Sequence, residues 1–157
     1  MTSIARTRRD LLLSAGALGL ALAAPGARGA QAMHVLKDPD CGCCADWIDI
    51  IRAAGFDVTV ELADPTRLAR YKRAGGVPDG LRSCHTARIG DYLIEGHVPV
   101  ADIQRLLEES PAAIGLSVPG MPWGSPGMGP ESERDAYDVI LIRRDGGAEI
   151  FSRYPAA

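Results

Sequence analysis

With 157 residues, 46% of them apolar and 24% charged, and a formal net charge of −3, the chain has the size and composition of one globular domain with a modest core. The acidic balance disfavours nucleic acid and anionic membrane as partners and favours cations. No glycine-rich phosphate loop, His-Glu-x-x-His, Gly-x-Ser-x-Gly or basic stripe with interleaved aromatics occurs, so nucleotide-dependent enzymes and nucleic-acid binders are unsupported.

The first segment reads as an export signal. Arg6, Arg8 and Arg9 precede an apolar run at 11–24 that ends in small residues, the charged, apolar, small-residue order of a secretory leader. At about 14 residues the run falls short of the roughly 20 that a membrane-spanning helix needs, which predicts a cleaved leader and no stable membrane anchor afterwards. Arg8-Arg9 with leucines close behind resembles a twin-arginine signal, the Sec route being the alternative. Ala30-Gln31-Ala32 supplies an A-x-A cleavage site, dividing the chain into a signal at 1–32 and a mature periplasmic domain at 33–157. Cleavage removes Arg6, Arg8, Arg9, Arg28 and Asp10 from 17 basic and 20 acidic residues, leaving 13 against 19 and a net charge of −6.

In the mature part a short strand is expected at 34–37, after which Pro39-Asp40 turn the chain into Cys41-Gly42-Cys43-Cys44. Trp47, Ile50, Ile51 and Ala54 fall at i, i+3, i+4 and i+7, one apolar helical face that Gly55 ends. Val58, Val60 and Leu62 alternate with Thr59 and Glu61, the period of a half-buried strand. Asp64-Pro65 supplies an N-cap and a first-turn proline for a second helix reaching about Ala74. A loop at 75–80 leads to short strands at 86–89 and 92–95 across a Gly90-Asp91 turn. A third helix follows Val98-Pro99, with Val100, Ile103, Leu106 and Leu107 on one side. From 111 to about 135 no periodicity is legible, only prolines, glycines and a few apolar residues, a loop of the length that usually serves function. Strands at 137–142 and 148–154 close the chain as a hairpin around Asp145-Gly146-Gly147. The order predicts an α/β, thioredoxin-like single domain with an added C-terminal β-hairpin and a long Pro/Gly/Met loop. In that architecture a Cys-x-x-Cys stands between the first strand and first helix, and the segment entering the third strand packs beside it. Cys84 and His85 are therefore expected to meet the cysteine cluster.

All four cysteines, Cys41, Cys43, Cys44 and Cys84, lie in the exported part. An even number in an oxidising compartment raises the possibility of two structural disulfides. Three cysteines within four residues cannot staple distant parts of a fold, since only Cys84 offers a remote partner. A Cys-x-x-Cys at a helix N-terminus favours thiolate and suits both redox exchange and metal binding; the third thiol, Cys43, is better explained by ligation. Thiolates select Cu(I), zinc and Fe–S clusters. The candidate ligands are Cys41, Cys43, Cys44, Cys84 and His85, and their softness leaves Cu(I) and zinc both open. Cys84 has the alternative of a buried apolar role or a disulfide to the cluster. His97 before the third helix is a second-choice ligand or a simple cap. Pro119-Gly120-Met121 and Pro126-Gly127-Met128 repeat one tripeptide with Trp123 between them; their thioethers either ligate copper from a closing flap or only pack. The rival reading is a thiol–disulfide oxidoreductase in which Cys41 attacks and Cys44 resolves, so the residues leave open whether the protein is an enzyme.

Lys37-Asp38-Pro39-Asp40-Cys41-Gly42-Cys43-Cys44, Ser83-Cys84-His85-Thr86, Glu95-Gly96-His97-Val98-Pro99 and Pro119-Gly120-Met121-Pro122 together resemble a bacterial family of exported metal-binding proteins of unknown function that includes the CopG-type copper-resistance proteins. The resemblance spans about 33–154. It implies a periplasmic thioredoxin-like domain in a copper-resistance system, copper held by the CxCC cysteines with help from the cysteine–histidine pair, and a copper cluster or copper oxidoreductase activity. Its expected partners are the metal ion and other periplasmic copper-handling proteins. The proline that thioredoxins carry before the third strand is replaced here by Ser83-Cys84, which argues against ordinary disulfide exchange.

Overall fold

A computed structural model describes residues 30–157. The export signal expected at 1–32 therefore lies, except for its last three residues, outside the described residues. Among those that are described, no helix is long and apolar enough to cross a membrane.

The chain runs β1 (Ala32–Lys37), α1 (Gly42–Ala53), β2 (Asp57–Leu62), α2 (Pro65–Ala74), β3 (His85–Ile89), β4 (Tyr92–Glu95), α3 (Val100–Glu109), β5 (Ala113–Ser117), β6 (Tyr137–Arg143) and β7 (Ala148–Tyr154), with short 3₁₀ turns at Asp79–Leu81 and Glu131–Glu133. One mixed sheet takes all seven strands in the order β2-β1-β3-β4-β5-β6-β7. The pairs β1–β2 and β4–β5 are parallel and the other four antiparallel. Side chains alternate across a strand, and that alternation builds the two sides of the core. Val35, Ala87, Ile94, Leu116 and Leu141 join Trp47, Ile48 and Ile51 of α1 and Ile103 and Leu106 of α3 on one face. Their sequence neighbours Leu36, Leu93 and Ile142 point to the other face, where Leu68 and Tyr71 of α2 cover them.

The first seven elements come in the expected order, with β1 opening two residues earlier than anticipated. Asp64 caps α2 by accepting from the Arg67 backbone N–H at 3.0 Å, with Pro65 in the first turn. Two expectations are corrected. The stretch from 111 to 135 is not all loop, because Ala113–Ser117 forms β5 inside the sheet. Consequently the closing hairpin is not an appendage: β6 pairs with β5 and extends the same sheet. Gly115 hides this strand from a periodicity search. A Cβ there would lie 1.7 Å from the Leu93 carbonyl oxygen, so the close approach of β4 excludes any side chain at the centre of β5.

Candidate metal centre

Helix α1 begins inside the cysteine motif, as the Cys-x-x-Cys spacing leads one to expect. Cys41 is its N-cap residue, without a side-chain cap bond, and Cys43 and Cys44 stand in its first turn. The backbone N–H groups of that turn have no partner within the helix, and they and the helix dipole stabilise negative charge on sulfur. Cys41 and Cys44 are joined as a disulfide, with Cys44 fully buried and Cys41 half-buried. Cys43 and Cys84 are free thiols, and Cys43 Sγ lies 3.5 Å from Cys41 Sγ.

Across from α1, the residues entering β3 bring Cys84 and His85. The four sulfurs of Cys41, Cys43, Cys44 and Cys84 lie within 4.8 Å of one another, and so do the ligand atoms of Cys84, His85 and His97. Cys84 belongs to both groups and joins them into one site. Its Sγ is 3.3 Å from His85 Nδ1 and 3.1 Å from His97 Nε2.

What surrounds the two imidazoles suits them to metal ligation. His97 Nδ1 lies 2.8 Å from the Pro126 carbonyl oxygen. A carbonyl only accepts, so Nδ1 carries the proton and, in the neutral ring, Nε2 turns a free lone pair toward Cys84. An imidazole held through one nitrogen by a backbone carbonyl, with the other nitrogen presented to the site, is the usual support of a metal-ligating histidine. Burial lowers the His97 pKa, opposed by its bond to Pro126 and by Asp46, and it pushes His85 well below the ordinary range, with His97, Lys72 and Lys37 adding to the effect. Both rings are thus kept neutral, as ligands must be. His85 packs on Trp47 at 4.4 Å between ring centroids, and its Nε2 is buried without a partner. Trp47 in turn donates from Nε1 to the Val98 carbonyl at 3.0 Å, tying α1 to the His97 segment. Burial raises the Cys84 thiol to about 11, with Cys43 adding to the rise and the Ser83 hydroxyl and Lys72 opposing it. At neutral pH Cys84 is therefore a thiol, and a metal entering here displaces its proton.

The loop after β5 closes over this arrangement. Gly127 has φ +82°, and a Cβ on it would lie 2.7 Å from the Trp47 backbone nitrogen and 3.1 Å from the Cys43 carbonyl oxygen. Met128 is half-buried in a tight turn, its N–H donating to the Ser125 carbonyl at 2.8 Å. Met121, 54% exposed, lines a groove with Pro119, Pro122, Tyr137, Asp138 and Ile140. The residue before it, Gly120, accepts from the Ser83 hydroxyl through its carbonyl. Sequence reasoning passed over three contributors to the site: the Pro126 carbonyl, Trp47 as a support for His85, and a buried Lys72–Glu95 ion pair behind Ser83. Only the last left a signal, an acid ending the apolar run Leu93-Ile94.

A profile of the family described as "Protein of unknown function, DUF411" matches residues 81–128, the stretch carrying Cys84, His85, His97 and the glycine-rich loop. No curated protein matches the chain. Among solved structures, one described as copper resistance protein CopG, Form 1, is 42% identical with a TM-score of 0.75, covering 81% of this chain and 99% of its own. Form 2 of the same protein is 43% identical with a TM-score of 0.74, covering 80% and 99%. With that identity held over nearly the whole length of a CopG protein, and with the cysteine and histidine groups in place to take a metal, this chain belongs to the DUF411 family of unknown function, which includes the CopG-type copper-resistance proteins.

Proposed function

We propose that the protein is a periplasmic, thioredoxin-like copper binder of a copper-resistance system. It holds Cu(I) through Cys41, Cys43, Cys44, Cys84, His85 and His97, with Met121 and Met128 as further thioether donors. The observation that carries this reading is the sharing of Cys84 between a four-sulfur group and a Cys-His-His group. Soft sulfurs select Cu(I), while neutral imidazoles are borderline donors that also accept Cu(II) or zinc, so one site suits both storage and cycling between copper oxidation states. The first four strands, ordered β2-β1-β3-β4 with three helices, support the thioredoxin-like reading. The disulfide sets a condition on ligation. Two electrons and two protons from an external reductant convert Cys41–Cys44 to two thiols, and only then can their sulfurs bind metal. Other copper-handling proteins of the periplasm are the expected donors and acceptors.

A Cys41→Ser/Cys44→Ser variant is expected to lose tight Cu(I) binding, and tight binding that survived in it would contradict the ligand assignment. Copper rather than zinc in protein purified under native conditions is the matching expectation. A second reading, thiol–disulfide exchange, is favoured by the disulfide itself, with half-buried Cys41 as the attacking sulfur and buried Cys44 as the resolving one. Insulin reduction distinguishes the two, since a metal binder leaves insulin disulfides intact.

A further inference from the structure

Directly behind the site, Lys72 of α2 and Glu95 at the end of β4 form an ion pair in which both side chains are buried. A buried pair costs more desolvation than its attraction reliably returns, and an apolar pair of similar size would fill the same space. What the pair does with its remaining bonds is more specific than stability requires. Lys72 Nζ donates to the Ser83 carbonyl oxygen at 2.7 Å, gripping the peptide group that leads into Cys84. Glu95 Oε1 accepts from the Ser83 backbone N–H at 2.7 Å, and Glu95 Oε2 accepts from the Thr86 hydroxyl at 2.5 Å. The two oxygens of one carboxylate thus bracket Cys84-His85 from both sides, and the ammonium holds the backbone between them.

Resting on the copper reading above, we infer that Lys72 and Glu95 are positioning residues for the metal site: they fix the Ser83–Thr86 backbone so that Cys84 Sγ stands beside Cys43 and against His97 Nε2. Glu95 also reaches the loop through its backbone, since its carbonyl accepts from Val118 N–H at 3.0 Å. Ser83 adds a tie to that loop by donating its hydroxyl to the Gly120 carbonyl. The pair is therefore the junction at which α2, β4, the Cys84-His85 segment and the covering loop are registered to one another.

The test compares the wild-type protein with Glu95→Gln, Lys72→Met and the milder Thr86→Val, all reduced. Cu(I) affinity is read by competition with a chromogenic chelator, and the charge-transfer spectrum is recorded on the same samples. Loss of an outer-shell partner of a metal ligand typically costs on the order of 10- to 100-fold in affinity. That loss is expected for Glu95→Gln and Lys72→Met, with altered charge-transfer bands, and a smaller loss for Thr86→Val, which removes one contact and no charge. A second readout needs no metal: the His97 ring-nitrogen and Cys84 Cβ resonances of the metal-free protein should move in the variants while the Ile103 and Leu106 methyl resonances stay in place. Unchanged affinity and spectra together with unchanged His97 and Cys84 resonances in folded variants would overturn the inference. If the wild-type protein itself takes no copper, the functional reading fails, and the resonances still decide whether the pair positions Cys84. Should Lys72→Met not fold, Glu95→Gln and Thr86→Val carry the comparison.

Discussion

At the scale of single residues, Cys84 is the sulfur common to both candidate ligand groups. Cys84→Ser should therefore weaken Cu(I) binding by at least the roughly 10- to 100-fold that loss of an outer-shell partner costs, and more than removal of any other single thiol. A chelator competition series over the four cysteines checks that ranking. The same residue sets the pH dependence of loading. Burial holds its thiol at about 11, so at neutral pH one proton leaves Cys84 for each metal bound there. Apparent affinity should rise by about tenfold per pH unit for that proton between mildly acid and mildly alkaline solution, and Cys84→Ser should flatten the slope. The candidate ligands stand out in the sequence because sulfur and imidazole declare their chemistry by type alone. The partners that orient them were not: the Pro126 carbonyl belongs to every residue's backbone, and Lys72 lies on a helix whose sequence reads as polar and solvated.

At the scale of elements, two glycines carry constraints that the elements themselves depend on. Gly115→Ala places a Cβ on the Leu93 carbonyl and should break the β4–β5 pairing, leaving protein that fails to show a cooperative thermal transition by circular dichroism. Gly127→Ala is the milder and more informative change. Its left-handed backbone and its contact with the first turn of α1 predict a loss of about 1–3 kcal/mol in urea unfolding. Displacement of the loop should also take the Pro126 carbonyl away from His97, so copper affinity should fall with the stability. The same two glycines mark the limits of sequence reading. Helices α1, α2 and α3 were legible from spacing and caps, as were the hairpin strands from their alternation. β5 was not, because its central residue is chosen by the neighbouring strand's backbone rather than by an alternating pattern.

At the scale of the whole molecule, burial of two neutral histidines at the seam between α1, β3 and the covering loop links the fold to pH. Both have pKa values depressed below the ordinary 6.5. The unfolded chain therefore binds more protons than the folded one as pH falls below that value. The stability these rings contribute is present above about pH 6.5 and is lost as the pH drops from there toward their folded pKa values. Thermal melts of the metal-free protein should show this acid-side loss, and a His85→Phe variant should show less of it. The sheet order joins sequence-distant pieces into that seam: the cysteine motif from the β1–α1 junction, Cys84-His85 from the entry to β3, and His97 from the turn after β4. The first two were anticipated from element order, whereas the way β5 carries the closing hairpin into the same sheet was not. We propose that these pieces make a copper site whose full sulfur set opens on reduction. The most direct test is an anaerobic Cu(I) titration of the protein with Cys41–Cys44 reduced, beside the same titration with the disulfide intact. Tight uptake with thiolate-to-copper charge-transfer bands, and more equivalents bound in the reduced form, is the predicted result; binding no stronger than that of exposed surface groups in both forms would contradict it.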